Sequence, residues 1–447
     1  MRKVFVSMSA LLVISLFAAC GGNQQGGGAQ GAAAVPPEDI ISEISGEITF
    51  WTQNVEVWTD WFIPAIQEFR RTHPNITVND EYFPSFADRV SHAFAAGEEP
   101  DVIQTWQSIT EWASAGRLLP VPDSLGLNRY YFDSAIINVE HNGRLYGVPS
   151  EINLESPLFF VNMDLLAREG VELPDNWIAN DGPSTWQELV DFARPLTVIQ
   201  GDMVMQAGFA YTFAQWESMF VSLIWQLGGD YRDPANNRVN FVTPEAAQAM
   251  EFMLRYNDPA SPYVISDRSE NRYNIFVQGN AAMVKGAPWY ASAFAVDNPG
   301  LNYQVFRMPP MISGSDPISL AAGGWGYIVS SQTNYPEAAW AFVDFMNSAE
   351  MNGDWAMSVG TLPARNDAVM NLDFDPNVGS VEKALSLAQD VLPYANEGGA
   401  YMLTPSRLIY SIIRLQLQQV LETGDIQAAL QAIERYGNEM IAENLGL

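Results

Sequence analysis

The order of hydrophobic and polar residues beyond position 45 predicts alternating strands and helices. β-Branched and aromatic residues, which favour strands, occupy positions 48–51 and 76–78, and a third strand is predicted to begin at 101–103, where Val102 and Ile103 follow Asp101. Between these strands, apolar residues recur every three or four positions, as on the buried face of a helix. They are Trp58, Trp61, Phe62, Ala65, Ile66 and Phe69 in the first helix, and Phe86, Val90, Ala93 and Phe94 in the second. This order predicts a parallel sheet, with ligand loops at the carboxyl ends of its strands, over 51–54 and 104–107.

Helical spacing returns later in the chain. A typical helix start, Pro183-Ser184-Thr185, precedes a helix that we expect over 186–192. Near the carboxyl end, a stripe of apolar residues predicts a helix packed on the core. Its members are Ile426, Ala429, Leu430, Ile433, Met440 and Ile441. The middle of the chain, 155–312, mixes helices with short strands, so the sequence predicts an α/β protein.

The first twenty residues have the features of an export signal. Two basic residues precede a mostly apolar run over 4–18, which is too short to be a membrane-spanning helix. The run ends in Leu16-Phe17-Ala18-Ala19-Cys20, which resembles a bacterial lipobox, where the cysteine is lipidated and becomes the first residue. Phe17 is larger than the residue usual there, and an ordinary signal peptide with an incidental cysteine is the alternative. We expect a signal peptide over 1–19 and a lipid anchor on Cys20.

Residues 20–45 form a segment rich in Gly, Ala and Gln that cannot build a packed core. A flexible coil of this length reaches about 25–30 Å. No later stretch of the sequence is long and apolar enough to span a bilayer. The sequence therefore predicts an exported protein, held by a flexible tether and a lipid on the outer face of the cell membrane or in the periplasm.

The composition narrows the possible partners. The chain has 22 Lys and Arg against 52 Asp and Glu, a formal charge of −30, and an acidic surface repels nucleic acid and anionic lipid. Cys20 is the single cysteine and there are three histidines, so we expect no disulfide, metal site or cofactor. The 13 Trp are more than a core usually needs, and this surplus is the first indication of a binding function.

Four groups of motifs are spread over the chain. They include Gly143-Arg144-Leu145-Tyr146-Gly147-Val148-Pro149, Gly286-Ala287-Pro288-Trp289 and Gly323-Gly324-Trp325-Gly326. The full groups are 46–51 with 69–76 and 95–102; 143–149 with 160–164 and 183–189; 276–283 with 286–289; and 323–326 with 337–342 and 360–365. In this order and at these spacings, the chain resembles the family 1 extracellular solute-binding proteins of ABC importers, the maltose-binding-protein-like group.

The resemblance implies an α/β, two-lobed periplasmic-binding-protein-like fold of type II, with the ligand cleft between the lobes. The N-terminal lobe is expected over 46–154 and 313–372, and the C-terminal lobe over 155–312 and 373–447. A ligand that touches both lobes shifts such a protein towards its closed form. The resemblance further implies capture of a sugar or oligosaccharide and its delivery to the transmembrane subunits of an ABC permease. We expect the protein to be a monomer.

A sugar site needs aromatic planes for the sugar faces, and carboxylates, amides or arginine for the hydroxyls. The candidates follow the first and third predicted strands, lie in the first crossover between the lobes, or belong to the motifs above. They are Gln53, Asn54, Glu56, Trp106, Asn153, Glu155, Trp216, Trp289, Gly323, Gly324, Trp325 and Arg407. The roles of the crossover residues, Trp106 and Trp216 come from the resemblance. We expect Trp289, Trp325 and Trp106 to face the sugar.

Several candidates have a second interpretation. Glu151 is the alternative to Glu155 as the carboxylate of the crossover. Core packing is the alternative for Trp106 and Trp216, which have aromatic neighbours in the sequence. A surface salt bridge is the alternative for Arg407, and a polar surface loop for the residues after the first strand.

Other functions are compatible with the composition. A carbohydrate-active enzyme also uses carboxylates and Trp, but the sequence has no Gly-x-Ser-x-Gly elbow, nucleotide phosphate-binding loop or His-Glu-x-x-His motif. We therefore expect a protein that is not an enzyme and has no catalytic residues. A binder of a peptide, polyamine or other small solute on the same fold is a further alternative, as is an adhesin or sensor that lost transport. The Trp and amide content favours a neutral sugar.

Overall fold

The structure is a computed structural model. It describes residues 43–106, 109–136, 139–155, 157–201, 203–210, 216–257, 273–321, 324–399, 402 and 407–446. The predicted signal peptide, Cys20, nearly all of the predicted tether and Gly323 lie outside the described residues. The expectations for them therefore stay predictions.

Strands and helices alternate through the described residues. The strands are β1 (Gly46–Gln53), β2 (Ile76–Phe83), β3 (Val102–Thr105), β4 (Glu140–His141), β5 (Arg144–Leu145), β6 (Val148–Pro149), β7 (Glu151–Ile152), β8 (Leu158–Asn162), β9 (Val198–Gln200), β10 (Met203–Gln206), β11 (Arg232–Asp233), β12 (Arg238–Val239), β13 (Met283–Gly286), β14 (Tyr303–Arg307), β15 (Ser319–Ala321), β16 (Gly326–Val329), β17 (Leu362–Pro363) and β18 (Ala395–Glu397).

The α-helices are α1 (Glu56–Thr72), α2 (Phe86–Ala96), α3 (Ile109–Ser114), α4 (Leu127–Tyr130), α5 (Asp133–Ile136), α6 (Met163–Glu169), α7 (Asp175–Asn180), α8 (Trp186–Ala193), α9 (Trp216–Gln226), α10 (Pro244–Asn257), α11 (Asn274–Val277), α12 (Trp289–Asp297), α13 (Pro336–Met346), α14 (Ala349–Val359), α15 (Val381–Val391), α16 (Arg414–Thr423) and α17 (Ile426–Leu445). A π-helical segment, Leu408–Ile413, runs directly into α16. No described helix is long and apolar enough to cross a membrane.

The first sheet has five strands in the order β2-β1-β3-β16-β6. β1 pairs in parallel with both β2 and β3, which confirms the parallel arrangement predicted for the first three strands. β16 pairs antiparallel with β3 and β6, so a strand from a distant part of the chain completes the sheet. The carboxyl ends of β1 and β3 lead to the loops that begin at Asn54 and Trp106.

The helices follow the predicted apolar spacing. Helix α1 buries one side, formed by Trp61, Phe62, Ala65, Ile66 and Phe69. Helix α17 likewise buries the predicted stripe apart from its first residue, Ile426, which is half-buried. At the start of α8, the Thr185 side chain accepts a hydrogen bond from the backbone N–H of Glu188, which satisfies a donor that the helix itself leaves unpaired.

The second sheet is antiparallel, with the order β13-β8-β14. All five residues of β8 are buried, because helices cover both faces of the sheet. Phe159 and Val161 pack with residues of α6, α8 and α9 in a large hydrophobic cluster. Leu158 and Phe160, on the opposite face, pack with residues of α12 and α15 in a smaller one.

The first sheet has a hydrophobic cluster of its own, in which Phe50 and Tyr327 pack with α1, α13 and α14. Helix α15 packs in the hydrophobic clusters of both sheets. Its residues Leu385 and Ala388 pack in the cluster of the first sheet, whereas Ala384 and Leu387 pack in the smaller cluster of the second.

Candidate functional site

Trp106 stands directly after β3 with its side chain at the surface. It is 46% exposed, and its ring lies 6.5 Å from the ring of Tyr410 at a steep angle of 77°. Trp112 has the core position instead, since it is buried and stacks on Phe94 with ring centroids 3.9 Å apart. The exposed indole of Trp106 therefore has a face available to a ligand.

Tyr410 connects Trp106 to the first crossover. Its hydroxyl donates a hydrogen bond to Glu155 Oε1 at 3.1 Å, and Asn153 Nδ2 donates to the same oxygen at 2.9 Å. Burial raises the pKa of Tyr410 well above its usual value, and the Glu155 carboxylate adds to this effect. We call Trp106, Asn153, Glu155 and Tyr410 the crossover cluster. It combines an aromatic plane with carboxylate and amide groups, the chemistry that a sugar requires.

Glu151, the alternative to Glu155, is a buried carboxyl group inside the fold. It accepts hydrogen bonds from Trp355 Nε1 at 3.2 Å and from the backbone N–H of Trp325 at 3.5 Å. Burial raises the pKa of Glu151 to about 7. Gly324 lies against it: a Cβ atom at Gly324 would be 2.3 Å from the carbonyl oxygen of Glu151. The glycine at 324 therefore allows a close approach of its backbone to Glu151, and its expected part in a ligand site stays a prediction.

Trp325 and the loop after β1 lie on the same side of the first sheet. Trp325 is half-buried, and its ring meets the ring of Trp58 edge-on at 4.5 Å. Trp58 is in the first turn of α1, which begins at Glu56. Gln53 is half-buried, whereas Asn54 and Glu56 are exposed.

Trp289 is the first residue of α12, directly after Pro288. Its ring is half-buried and lies 6.0 Å from Tyr273 and 4.5 Å from Tyr290. Its backbone abuts Gly360, where a Cβ atom would lie 2.9 Å from the Cα atom of Trp289. Trp289 thus stands where α12 of the second sheet meets the end of α14.

Two candidates lie elsewhere, which corrects the expectations for them. Trp216 is completely buried in the large cluster of the second sheet, where its ring packs among apolar side chains. Arg407 is exposed and forms an ion pair with Glu443 at 3.3 Å. Both residues therefore take the alternative interpretation of the sequence, core packing for Trp216 and a surface salt bridge for Arg407.

Three further charged side chains, Glu217, Lys285 and Arg414, are buried or half-buried in the second half of the fold. Arg414 pairs with Glu217, with its Nε atom 3.1 Å from Glu217 Oε1, and the Glu217 side chain is fully buried. Lys285 on β13 is only 4% exposed. Burial lowers the pKa of Lys285, while the carboxylates of Glu155 and Glu217 act in the opposite direction. Burial raises the pKa of Glu217 and Arg414 offsets part of this rise.

Sequence reasoning missed Tyr410, Lys285, Glu217 and Arg414. Tyr410 lies in an apolar run, Leu408 to Ile413, and has the appearance of a core residue. Lys285 had a usable signal, because a lysine inside an otherwise apolar buried strand is rare unless it has a role. Among the described residues, no three His, Cys, Asp or Glu side chains are grouped so that they could hold a metal ion.

Comparison with known proteins identifies the class to which this architecture belongs. Residues 56–353 match the family model of the bacterial extracellular solute-binding proteins. The match covers more than half of the chain, and the chain belongs to this family. The resemblance found in the motifs is therefore confirmed.

Three relatives of known name or structure have sequence identities between 18% and 25% to this chain. The arabinooligosaccharide-binding protein of Bacillus subtilis is 25% identical over 335 residues, which are 72% of this chain and 74% of that protein. An ABC substrate-binding protein of Listeria monocytogenes in complex with cycloalternan has a TM-score of 0.71 at 18% identity, over 90% of this chain and 100% of that one. UgpB of Mycobacterium tuberculosis in complex with glycerophosphocholine has a TM-score of 0.72 at 20% identity, with the same coverage. These similarities confirm the two-lobed fold.

Proposed function

We propose that this solute-binding protein captures a sugar or oligosaccharide between two lobes and delivers it to the transmembrane subunits of an ABC permease. The observation that carries the proposal is the crossover cluster. There, an exposed indole, a carboxylate and an amide stand next to one another. The arabinooligosaccharide relative and the neighbour in complex with cycloalternan support a carbohydrate ligand.

The proposed lobes are 46–154 with 313–372, and 155–312 with 373–447. The separate hydrophobic clusters of the two sheets support this division. Helix α15, which packs in the clusters of both sheets, lies at the junction. Trp106 belongs to the first lobe and Tyr410 to the second, so a ligand held between these rings stabilises the closed arrangement of the lobes.

Aromatic and polar residues contact different parts of the proposed sugar ligand. Trp106, Trp289 and Trp325 supply planes for the C–H faces of sugar rings, since each is exposed or half-buried. Polar groups for the hydroxyls come from Asn153 and Glu155, and from the loop of Gln53, Asn54 and Glu56 at the end of β1. We propose binding without catalysis, as a monomer.

Lipid attachment at Cys20, after cleavage behind Ala19, would keep the protein at the outer face of the membrane. The lipobox-like sequence and the Gly-rich segment after it support this part of the proposal. Mass spectrometry of the protein extracted from membranes tests it, because lipidated Cys20 adds the mass of the acyl chains. A Cys20→Ser variant should then appear in the soluble fraction.

The proposed ligand class is tested by thermal shift and calorimetry with maltotriose, mannobiose, an arabinooligosaccharide and glycerophosphocholine. A ligand at 100 times its Kd stabilises the folded protein by about 2.7 kcal/mol, which is readily detected. In the Trp106→Ala variant, we expect affinity for the bound saccharide to fall about tenfold with no change in melting temperature, because the side chain is exposed. Ile178→Ala, at another exposed apolar position, is the control. Stabilisation by a peptide or polyamine and by no saccharide would contradict the proposal, and turnover of an oligosaccharide would restore the enzyme hypothesis.

A further inference from the structure

Lys285 occupies an unusual place for a lysine. It lies on β13 of the second sheet, where it pairs with Phe159 of the central strand β8. Residues paired across neighbouring strands point to the same face, and Phe159 packs in the large hydrophobic cluster. The aliphatic stem of Lys285 therefore enters the interior of the protein on the side of α9, the helix that carries Glu217.

Two buried polar atoms at this place have no hydrogen-bond partner among the described residues. The ammonium nitrogen Nζ of Lys285 finds no acceptor, and Glu217 Oε2 finds no donor, anywhere in the described part of the chain. Each of the two is costly, because a buried polar group without a partner loses its hydration and gains nothing in return. Folded proteins rarely tolerate this except where a bound group supplies the missing partner.

The two atoms have opposite roles. Lys285 Nζ can only donate, whereas Glu217 Oε2, as a carboxylate oxygen, can only accept. Lys285 enters the interior that α9 borders, and the Glu217 carboxylate acts in the direction that raises the pKa of Lys285. No ion pair or hydrogen bond joins the two groups among the described residues. A hydroxyl group accepts one hydrogen bond and donates another, which is the combination that this pair lacks.

The pair is connected to the crossover cluster. Glu155 also acts on the charge of Lys285, and Glu155 accepts the hydrogen bond from Tyr410, whose ring meets the exposed Trp106. Beyond Lys285, the chain continues through Gly286 to Trp289 at the start of α12. Since Trp106 and Tyr410 belong to different proposed lobes, separation of these rings opens the way to the buried pair.

We propose that Lys285 and Glu217 form the innermost hydrogen-bonding pair of the ligand site, and that they select a neutral polyhydroxyl ligand over an anionic one. This inference rests on the proposed function and adds the residues that set the ligand class. Burial lowers the pKa of Lys285, so a partly charged Lys285 and Arg414 give no excess of positive charge over the carboxylates of Glu155 and Glu217. An anionic ligand would meet these two carboxylates without a surplus cation to offset them, whereas a sugar hydroxyl bridges donor and acceptor without adding charge.

The test compares the wild-type protein with Lys285→Met and Lys285→Gln. Methionine keeps the apolar length of the side chain and removes the donor, and glutamine restores a neutral donor. The control is Lys383→Met, because Lys383 is equally buried but donates to Gln304 Oε1 at 3.1 Å and to the Pro376 carbonyl at 2.8 Å. Affinities are measured by calorimetry for the tightest-binding saccharide of the panel and for sn-glycerol 3-phosphate, which is an anion, and melting temperatures are measured without ligand.

Removal of the Lys285 amine is expected to weaken saccharide binding without lowering the melting temperature. In Lys285→Met, affinity for the saccharide falls about 10- to 100-fold, while the unliganded protein melts at the same or a higher temperature, because an unpaired buried donor has been removed. Lys285→Gln keeps an intermediate affinity. Lys383→Met melts at a lower temperature and binds the saccharide as the wild type does.

The possible failures can be told apart. If the wild type binds the saccharide and Lys285→Met binds it equally well, Lys285 is structural and this inference alone is overturned. If Lys285→Met does not fold, Lys285→Gln decides: unchanged affinity in that variant, together with unchanged affinity in Glu217→Gln, overturns the pair as a ligand contact. If no saccharide binds the wild type, the proposed function is overturned and this inference with it. Tighter binding of sn-glycerol 3-phosphate than of any saccharide overturns the selection for neutral ligands.

Discussion

Two carboxyl groups in the first crossover stand four positions apart in the sequence and have different surroundings. Glu151 is buried against Gly324 and accepts hydrogen bonds from Trp355 and the backbone of Trp325. Glu155 is half-buried and accepts hydrogen bonds from Asn153 and Tyr410. Glu151 links segments of the chain inside the fold, and Glu155 belongs to the crossover cluster. The comparison teaches that a residue type within a motif indicates a role only after its neighbours in space are known.

The largest expected effect is a loss of saccharide affinity when the carboxyl group of Glu155 is removed. In Glu155→Ala, we expect affinity for the saccharide to fall about 100-fold, which is about 2.8 kcal/mol, because a carboxylate that accepts hydrogen bonds from sugar hydroxyls is lost. Calorimetry measures this loss. The melting temperature should fall only modestly, because Tyr410 and Asn153 lose their acceptor, and it should not change in Glu169→Ala, a control at a surface ion pair. Equal affinities in Glu155→Ala and the wild type would remove Glu155 from the site.

The next effect concerns stability on the Glu151 side. In Gly324→Ala, the new methyl group would be placed 2.3 Å from the carbonyl oxygen of Glu151, so the backbone has to shift. We expect the free energy of unfolding to fall by about 1–3 kcal/mol, as measured by denaturant unfolding. Gly300→Ala is the matched control, since its methyl group would meet its nearest neighbour at 3.7 Å. A Gly324→Ala variant as stable as Gly300→Ala would show that the approach to Glu151 is not tight.

The smallest effect is a change in the pH dependence of stability. Burial raises the pKa of Glu151 from its ordinary value of 4.5 to about 7. The folded protein therefore keeps a proton that the unfolded chain has released, and the stabilisation is lost as the pH rises through about 7. We expect the melting temperature of the wild type to fall between pH 4.5 and 7 relative to Glu151→Gln, by about 2 °C. Parallel melting curves of the two proteins over this range would contradict the raised pKa.

The first sheet could be predicted from the sequence because its information is local. The strands and helices between 46 and 103 alternate, and the two helices there have a clear periodicity of buried residues. The second sheet has no such signal: β8 is buried on both faces, so its residues do not alternate, and its partners β13 and β14 come from distant parts of the chain. The resemblance, not periodicity, led to this part of the fold.

The candidate site could be predicted in part. Trp106 and Trp112 are both tryptophans after the third strand, and only tertiary packing places one at the surface and the other on Phe94. Trp216 was mistaken for a site residue for the same reason. Tyr410 and Glu217 could not be found, since what distinguishes them is a long-range contact, with Glu155 for Tyr410 and with Arg414 for Glu217.

Helix α15 has a consequence for how the molecule comes apart. Leu385 and Ala388 fill the interior next to the first sheet, while Ala384 and Leu387 fill the interior next to the second. Neither interior can be opened to water without exposing apolar side chains that belong to the same helix. The two halves are therefore coupled in melting, and loss of one lowers the stability of the other, so that heat unfolds them in a single cooperative transition instead of two.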